Sequence, residues 1–183
     1  MTLRAAFGVS LLLSLPAGTA PAVAQATQAP AATPAAPTSN YLIPIGATID
    51  LETAKRVAAA AAAEARKNKW LMAIAIVDPA GTLVYYEKAD NTQNGSASVA
   101  IDKARSAALY KRPTKAFQDA VEKGGLGLRV LRLEGAVPVD GGVPLLVDGK
   151  LIGALGASGD LAENDAKCAA AGAAVLATKT GAH

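Results

Sequence analysis

Read for its apolar and polar positions, the chain takes on a regular pattern from Asp50 onward. Leu51, Ala54, Val57, Ala58, Ala61 and Ala65 share one helical face, while Lys55, Arg56, Glu64 and Arg66 occupy the others. The spacing predicts a helix from Leu51 to about Lys67, capped by Asp50. The successive alanines Ala58 to Ala63 favour that helix and leave it a thin side that can sit close on a sheet. Leu71 to Val77 reads as a buried strand, Asp78-Pro79-Ala80-Gly81 as a turn, and Thr82 to Glu87 as the returning antiparallel partner.

A second helix is predicted to start at Ser96 or Ser98, with Val99, Lys103 and Ala107 on adjacent turns. It ends by Lys111, because Pro113 disfavours helical geometry at Arg112. Thr114 is expected to cap a helix from Lys115 to about Lys123, closed by Gly124-Gly125. Gly127 to Leu133 reads as a short turn leading into strand around Gly135 to Pro138. Val143, Leu145 and Val147 then alternate along a strand, Asp148-Gly149 makes a two-residue turn, and Leu151 to Leu155 form an apolar return strand. Gly153, Gly156 and Gly159 follow at every third position, where a bare backbone admits another backbone, a helix or a flat ligand. Asp160 is expected to start a last helix reaching about Thr178. This order of elements specifies an α+β class with an antiparallel sheet between helical layers.

The 183 residues suffice for one domain with an excess at the N-terminus. Arg4 followed by the apolar run Ala5 to Leu15 and small residues around Ala22 to Ala26 reads as a signal peptide over residues 1–25. Residues 26–47, with Pro30, Pro34 and Pro37 among Ala, Thr and Gln, read as an extended linker, and 48–180 as the folded domain. The leader predicts a periplasmic or secreted protein. The formal charge is +3, one less once Arg4 is removed, so no nucleic-acid partner is expected.

Candidate chemistry is sparse. His183, the last residue, is the sole histidine, which excludes a Ser/His/Asp triad, a Cys/His dyad or a His-rich zinc site inside one domain. Cys168 is the sole cysteine, so no intramolecular disulfide forms; packing in the alanine-rich segment is the expected role, with an intermolecular disulfide or a reactive thiol as the alternative. Asp119 with Glu122, and Glu163 with Asp165, have the spacing of solvated helix faces. The glycines at 124, 125 and 127 lack the context of a phosphate loop. Cations do cluster, with Lys103, Arg105, Lys111, Arg112 and Lys115 close in sequence, as either a solvated face or an anion site.

Four blocks in order, LETAKRVAAAAAAEARKNKWLMAIAIVDPAGTLVYYEKAD, AIDKARSAALYKRPTKAF, EGAVPVDGGVPLLVDGKLIGALGASG and ENDAKCAAAGAAVL, resemble the GlcG/HbpS-like, or haem-degrading domain, family. The resemblance implies a profilin-like architecture with a sheet of about five strands, homo-oligomerisation, and haem or a similar tetrapyrrole as ligand. Haem needs a flat apolar slot, cations for its propionates and, optionally, an axial donor. Arg105, Lys111, Arg112 and Lys115 are the candidate cations. Thr114 is the leading contact to the haem iron, because YKRPTKAF matches the family segment associated with haem. Its alternative role is the helix cap. Tyr110 is the second oxygen donor, since phenolate binds ferric iron. The expected function is haem capture, buffering or sensing, with a membrane sensor or transporter as partner. The alternatives are a haem-degrading enzyme, for which no catalytic residues are assigned, a corrinoid or small-metabolite binder, and a structural oligomer.

Overall fold

The computed structural model describes residues 42–177. The expected leader, most of the expected linker, Tyr41, His183 and the last residues of the predicted domain lie outside them. Asp50 starts α1 (Leu51–Lys67) as its composition demands: in extended geometry, its carboxylate accepts the Thr53 N–H at 2.7 Å. There follow β1 (Ala73–Val77), β2 (Leu83–Lys88), α2 (Gly95–Tyr110), α3 (Lys115–Glu122), a 3-10 segment (Gly125–Arg132), β3 (Gly142–Val147), β4 (Lys150–Ser158) and α4 (Ala162–Ala177).

The strands form one antiparallel sheet in the order β2-β1-β4-β3. Four strands are present among the described residues, where five were expected. Gly135 to Pro138 does not join the ladder. The Val137 N–H donates to Ser106 Oγ at 3.0 Å, the Ala136 N–H closes a turn on the Leu133 carbonyl at 3.2 Å, and Pro138 has no donor. Ahead of α1, a single parallel bridge joins Ile45 to Leu151. The Leu151 N–H donates to the Pro44 carbonyl and the Gly46 N–H to the Leu151 carbonyl, both at 2.8 Å. The segment ahead of α1 is therefore tied to β4 through Pro44 and Gly46.

Strand alternation sorts two unequal core layers. Ile74 and Ile76 of β1, with Leu145 and Leu155, meet α1 and α4, while Ala73, Ala75 and Val77 meet the Ala100, Ala104, Ala107 and Ala108 stripe of α2. Burying each large aliphatic side chain on the first side stabilises by about 1.5–3 kcal/mol. The alanine side gains less per residue and depends on close approach. Gly156 permits it, since a methyl there would overlap the Ala100 carbonyl of α2.

The β3–β4 turn has Asp148 and Gly149 at φ 50° and 71°, the left-handed geometry this two-residue hairpin requires. β3 is an edge strand. The Ala157 N–H donates to the Gly141 carbonyl at 2.9 Å, which in antiparallel register turns the peptide groups of Gly142 and Pro144 away from β4. Among the described residues, no helix is long and apolar enough to cross a membrane.

Candidate functional site

The candidate cations and oxygen donors lie at the corner where α2 gives way to α3. Lys111 ends α2 in left-handed geometry, φ 52°, and Pro113 separates it from Thr114. Tyr110 bridges the corner. Its hydroxyl donates to the Glu134 carbonyl at 2.6 Å, and its ring meets Phe117 of α3 edge-on at 5.1 Å. The Arg112 guanidinium lies over the other aromatic partner, 5.4 Å from the Phe117 centroid, while its Nε donates to the Tyr110 carbonyl at 3.0 Å.

The other cations engage different partners. Arg105 donates through Nε to the Gly81 carbonyl at the β1–β2 turn, at 3.2 Å. Lys111 reaches the Ile43 carbonyl at 2.8 Å. Lys115 pairs with Asp119 one turn along α3, and that hydrogen bond raises the Lys115 pKa. Lys103, read with them in sequence, is buried away from this surface. The expected cluster thus resolves into Tyr110, Arg112 and Lys115 at one corner, with Lys111 beside it and Arg105 turned to the opposite hairpin.

Thr114 is fully buried, has helical geometry and makes no capping bond through its side chain, so the predicted cap is corrected. Its Oγ1 accepts the Gly142 N–H at 2.9 Å, and its own N–H donates to the Gly142 carbonyl at 2.9 Å. Residue 114 therefore occupies the outer edge of β3, an environment set by residues 28 positions away that helix-capping rules do not see.

A buried ion pair that sequence reasoning missed stands behind this edge. Lys103 Nζ lies 2.7 Å from Asp165 Oδ2, with both side chains almost wholly excluded from solvent, and donates also to the Ala157 carbonyl at 3.2 Å. Asp165 Oδ1 accepts the Asp160 N–H at 3.2 Å. Burial raises the Asp165 pKa, and the Lys103 hydrogen bond and charge oppose that rise without cancelling it. Gly141 leaves the room: its φ is 117°, and a methyl there would stand 2.7 Å from Asp165 Cβ and 2.9 Å from Lys103 Nζ. The available sequence signal was a lysine on the sheet-facing stripe of α2, one turn from Ala107.

Gly153, Gly156 and Gly159 do not line a ligand slot. Side chains there would run into the Val77, Ala100 and Leu71 carbonyls of the chain itself. Cys168 is buried, and desolvation, followed by the nearby Asp165 charge, pushes its thiol up to about 12, so it stays protonated at neutral pH and packs as a small apolar group. Among the described residues, no three His, Cys, Asp or Glu side chains gather to hold a metal ion.

Beside the corner, the 3-10 segment exposes Leu126, Leu128 and Leu131, and Leu133, which follows it, is exposed to a lesser degree. A hollow of about 350 Å³ lies between this segment and α3, lined by Ala116, Asp119, Ala120, Lys123 and Gly127. The corner thus combines an apolar surface, cations and a phenol.

Comparison with known proteins agrees in extent with the fold. Residues 49–174 match the family model described as haem degrading protein HbpS-like. Protein GlcG of Escherichia coli K12 is 39% identical over 107 residues, covering 58% of this chain and 78% of GlcG. A solved double mutant of Streptomyces reticuli HbpS is 28% identical with a TM-score of 0.66, covering 80% of this chain and 99% of that one. A PduOC:heme complex is 28% identical with a TM-score of 0.64, covering 70% of this chain and 95% of the other. With the family model spanning most of its length and both structures sharing its layered sheet, the chain belongs to the HbpS-like family.

Proposed function

We propose that this chain is an exported haem-binding protein that holds haem against the α2–α3 corner and the neighbouring leucine surface, for capture, buffering or sensing. The observation that carries the reading is the seating of the leucine-bearing 3-10 segment on α3, with Gly127 against Ala120, next to the corner where Tyr110 meets Phe117 and donates to the Glu134 carbonyl. Further support comes from the haem complex of the PduOC relative. Export rests on the basic and apolar pattern of residues 1–25.

These residues suit haem in three respects. Leucines offer an apolar face, Arg112 and Lys115 offer cations to propionates, and Tyr110 offers an oxygen that is hydrogen-bonded but accessible. Thr114 suits it less well, because its hydroxyl is buried and bonded to Gly142, so contact with iron requires β3 to release it. When bound, haem would supply iron redox chemistry; the chain supplies binding, orientation and charge.

Titrating purified protein with haemin and following the Soret band tests the assignment. Saturable binding is expected, with Tyr110→Phe shifting the band and weakening binding several-fold, and Thr114→Ala acting mainly on stability. Absence of any Soret change in the wild type would overturn the function, and an unchanged Tyr110→Phe spectrum would remove Tyr110 as the donor. The family description favours a second reading, haem breakdown. Adding a reductant in air separates the two: persistent haem supports binding, and haem loss that catalase does not suppress supports an enzyme.

A further inference from the structure

The α1 side of the sheet carries another cavity, of about 330 Å³, which shares no residue with the α2–α3 corner. Local chemistry makes it. Lys69 is left-handed, φ 60°, and the Trp70 N–H donates to the Ala65 carbonyl at 3.0 Å, a turn that ends α1 and brings Trp70 back against its last residues. Ala62 and Ala65 of α1 and Met72 ahead of β1, all buried, form the apolar lining beside Trp70. Alanine at two positions of that wall leaves open the space a longer side chain would fill, and atoms facing a void forgo their dispersion contacts. An apolar ring placed there restores them. The volume lies at the lower end of ordinary ligand pockets, about 300–1,000 Å³, and has room for one or two rings.

Charge sets the polar end of the ligand. Arg66 and Lys88 line the cavity, and Lys167 Nζ stands 5.4 Å from the Trp70 ring centroid. Among the described residues the Arg66 guanidinium has no hydrogen-bond or ion-pair partner, and Lys88 Nζ makes only long contacts, 3.4 Å to the Thr92 carbonyl and 3.5 Å to Asn94 Oδ1. The carboxylate in the lining, Glu87, already accepts the Tyr85 hydroxyl at 2.9 Å through Oε2. On the last turn of α1, Glu64 pairs with Lys67 at 3.6 Å, so those two charges offset. A guanidinium with free donors holds a carboxylate bidentately and in a fixed orientation.

We infer that the cavity between the end of α1 and the end of β2 is a binding site for a small aryl carboxylate, its ring against Trp70, Met72 and the alanines and its carboxylate on Arg66. Lys88, exposed at the rim, adds an attraction that salt screens. The site is separate from the haem site proposed above and stands without it.

Trp70 is the sole tryptophan, so its emission reports the site directly. The test titrates the purified full chain with benzoate, phenylacetate and 3-phenylpropionate, by fluorescence and by calorimetry, with 3-phenylpropanamide and acetate as the uncharged and ringless controls. At least one of the acids is expected to bind saturably with a dissociation constant below about 1 mM, and the controls about tenfold more weakly or not at all. Arg66→Gln, at an exposed side chain, should weaken the acid about tenfold and leave the amide unchanged. Ala62→Leu, which fills the cavity, should abolish binding while circular dichroism stays that of the wild type; should that variant unfold, Arg66→Gln decides alone. No response to any of the acids up to about 10 mM overturns the inference. So does an amide that binds as well as its acid, an Arg66→Gln variant with undiminished affinity, or a folded Ala62→Leu variant that still binds. Displacement of the acid by haemin also overturns it, because the cavity is then part of the haem site.

Discussion

Lys103 and Asp165 show how much one buried pair can organise. The pair ties α2 to the start of α4 and, through the Ala157 carbonyl, to the strand that bonds Gly141. Removing one partner leaves the other charge buried alone, so Asp165→Asn and Lys103→Met should each lower unfolding free energy by about 3–5 kcal/mol. Joint replacement, Lys103→Met with Asp165→Leu, should recover most of that loss, as denaturant unfolding would measure. Recovery absent from the double variant would mean that the pair's hydrogen bonds to Ala157 and Asp160 dominate. Asp160 shows a separate pH effect. Its carboxylate accepts from Asn164 Nδ2 and the Leu161 N–H, which lower its pKa below the ordinary 3.8. Because the folded value is depressed, its contribution is present above the unfolded pKa and disappears as pH falls through the folded one. Amide protection in the first turn of α4, corrected for the intrinsic exchange rate, should therefore fall on acidification below about pH 4, and Asp160→Asn should flatten that dependence.

At the scale of elements, small residues govern the approach of α2 to the sheet. Gly156→Ala should destabilise by about 3 kcal/mol or more, because the clash is with the Ala100 backbone carbonyl rather than a movable side chain. Thermal melting is the measurement, and a melting point within a degree or two of the wild type would show that α2 can retreat freely. Local rules made much of this architecture legible. Asp50 capped α1, Pro113 separated α2 from α3, and Asp148-Gly149 turned the last hairpin, each through chemistry contained within a few residues. Legibility failed where distant partners decided. Lys103 read as one more cation of a surface cluster, yet Asp165, 62 residues on, holds it in the interior. Thr114 had every local mark of a cap, yet the edge of β3 claims its hydroxyl. Tyr110 was legible as a donor type, but only the fold set it against Phe117 with its hydroxyl on the Glu134 carbonyl.

For the whole molecule, the outer side of β3 has a consequence for assembly. Exposed strand edges recruit further strands, and growth by that route is open-ended. Here Thr114 takes both peptide groups of Gly142, and Pro144 beside it has no N–H to donate, so an incoming strand on the β3 side loses three of the four peptide groups it would pair with there. Pro144→Thr should restore a donor there. Incubation near the melting temperature should then yield thioflavin-positive aggregate faster than the wild type, whereas equal rates would show that the edge is protected by other means. Association directed to a surface of side chains stops when its symmetry closes, while association along a backbone edge does not stop. On the β3 side of the sheet, one threonine and one proline thus turn away the partner that would make a finite particle into the start of a fibre.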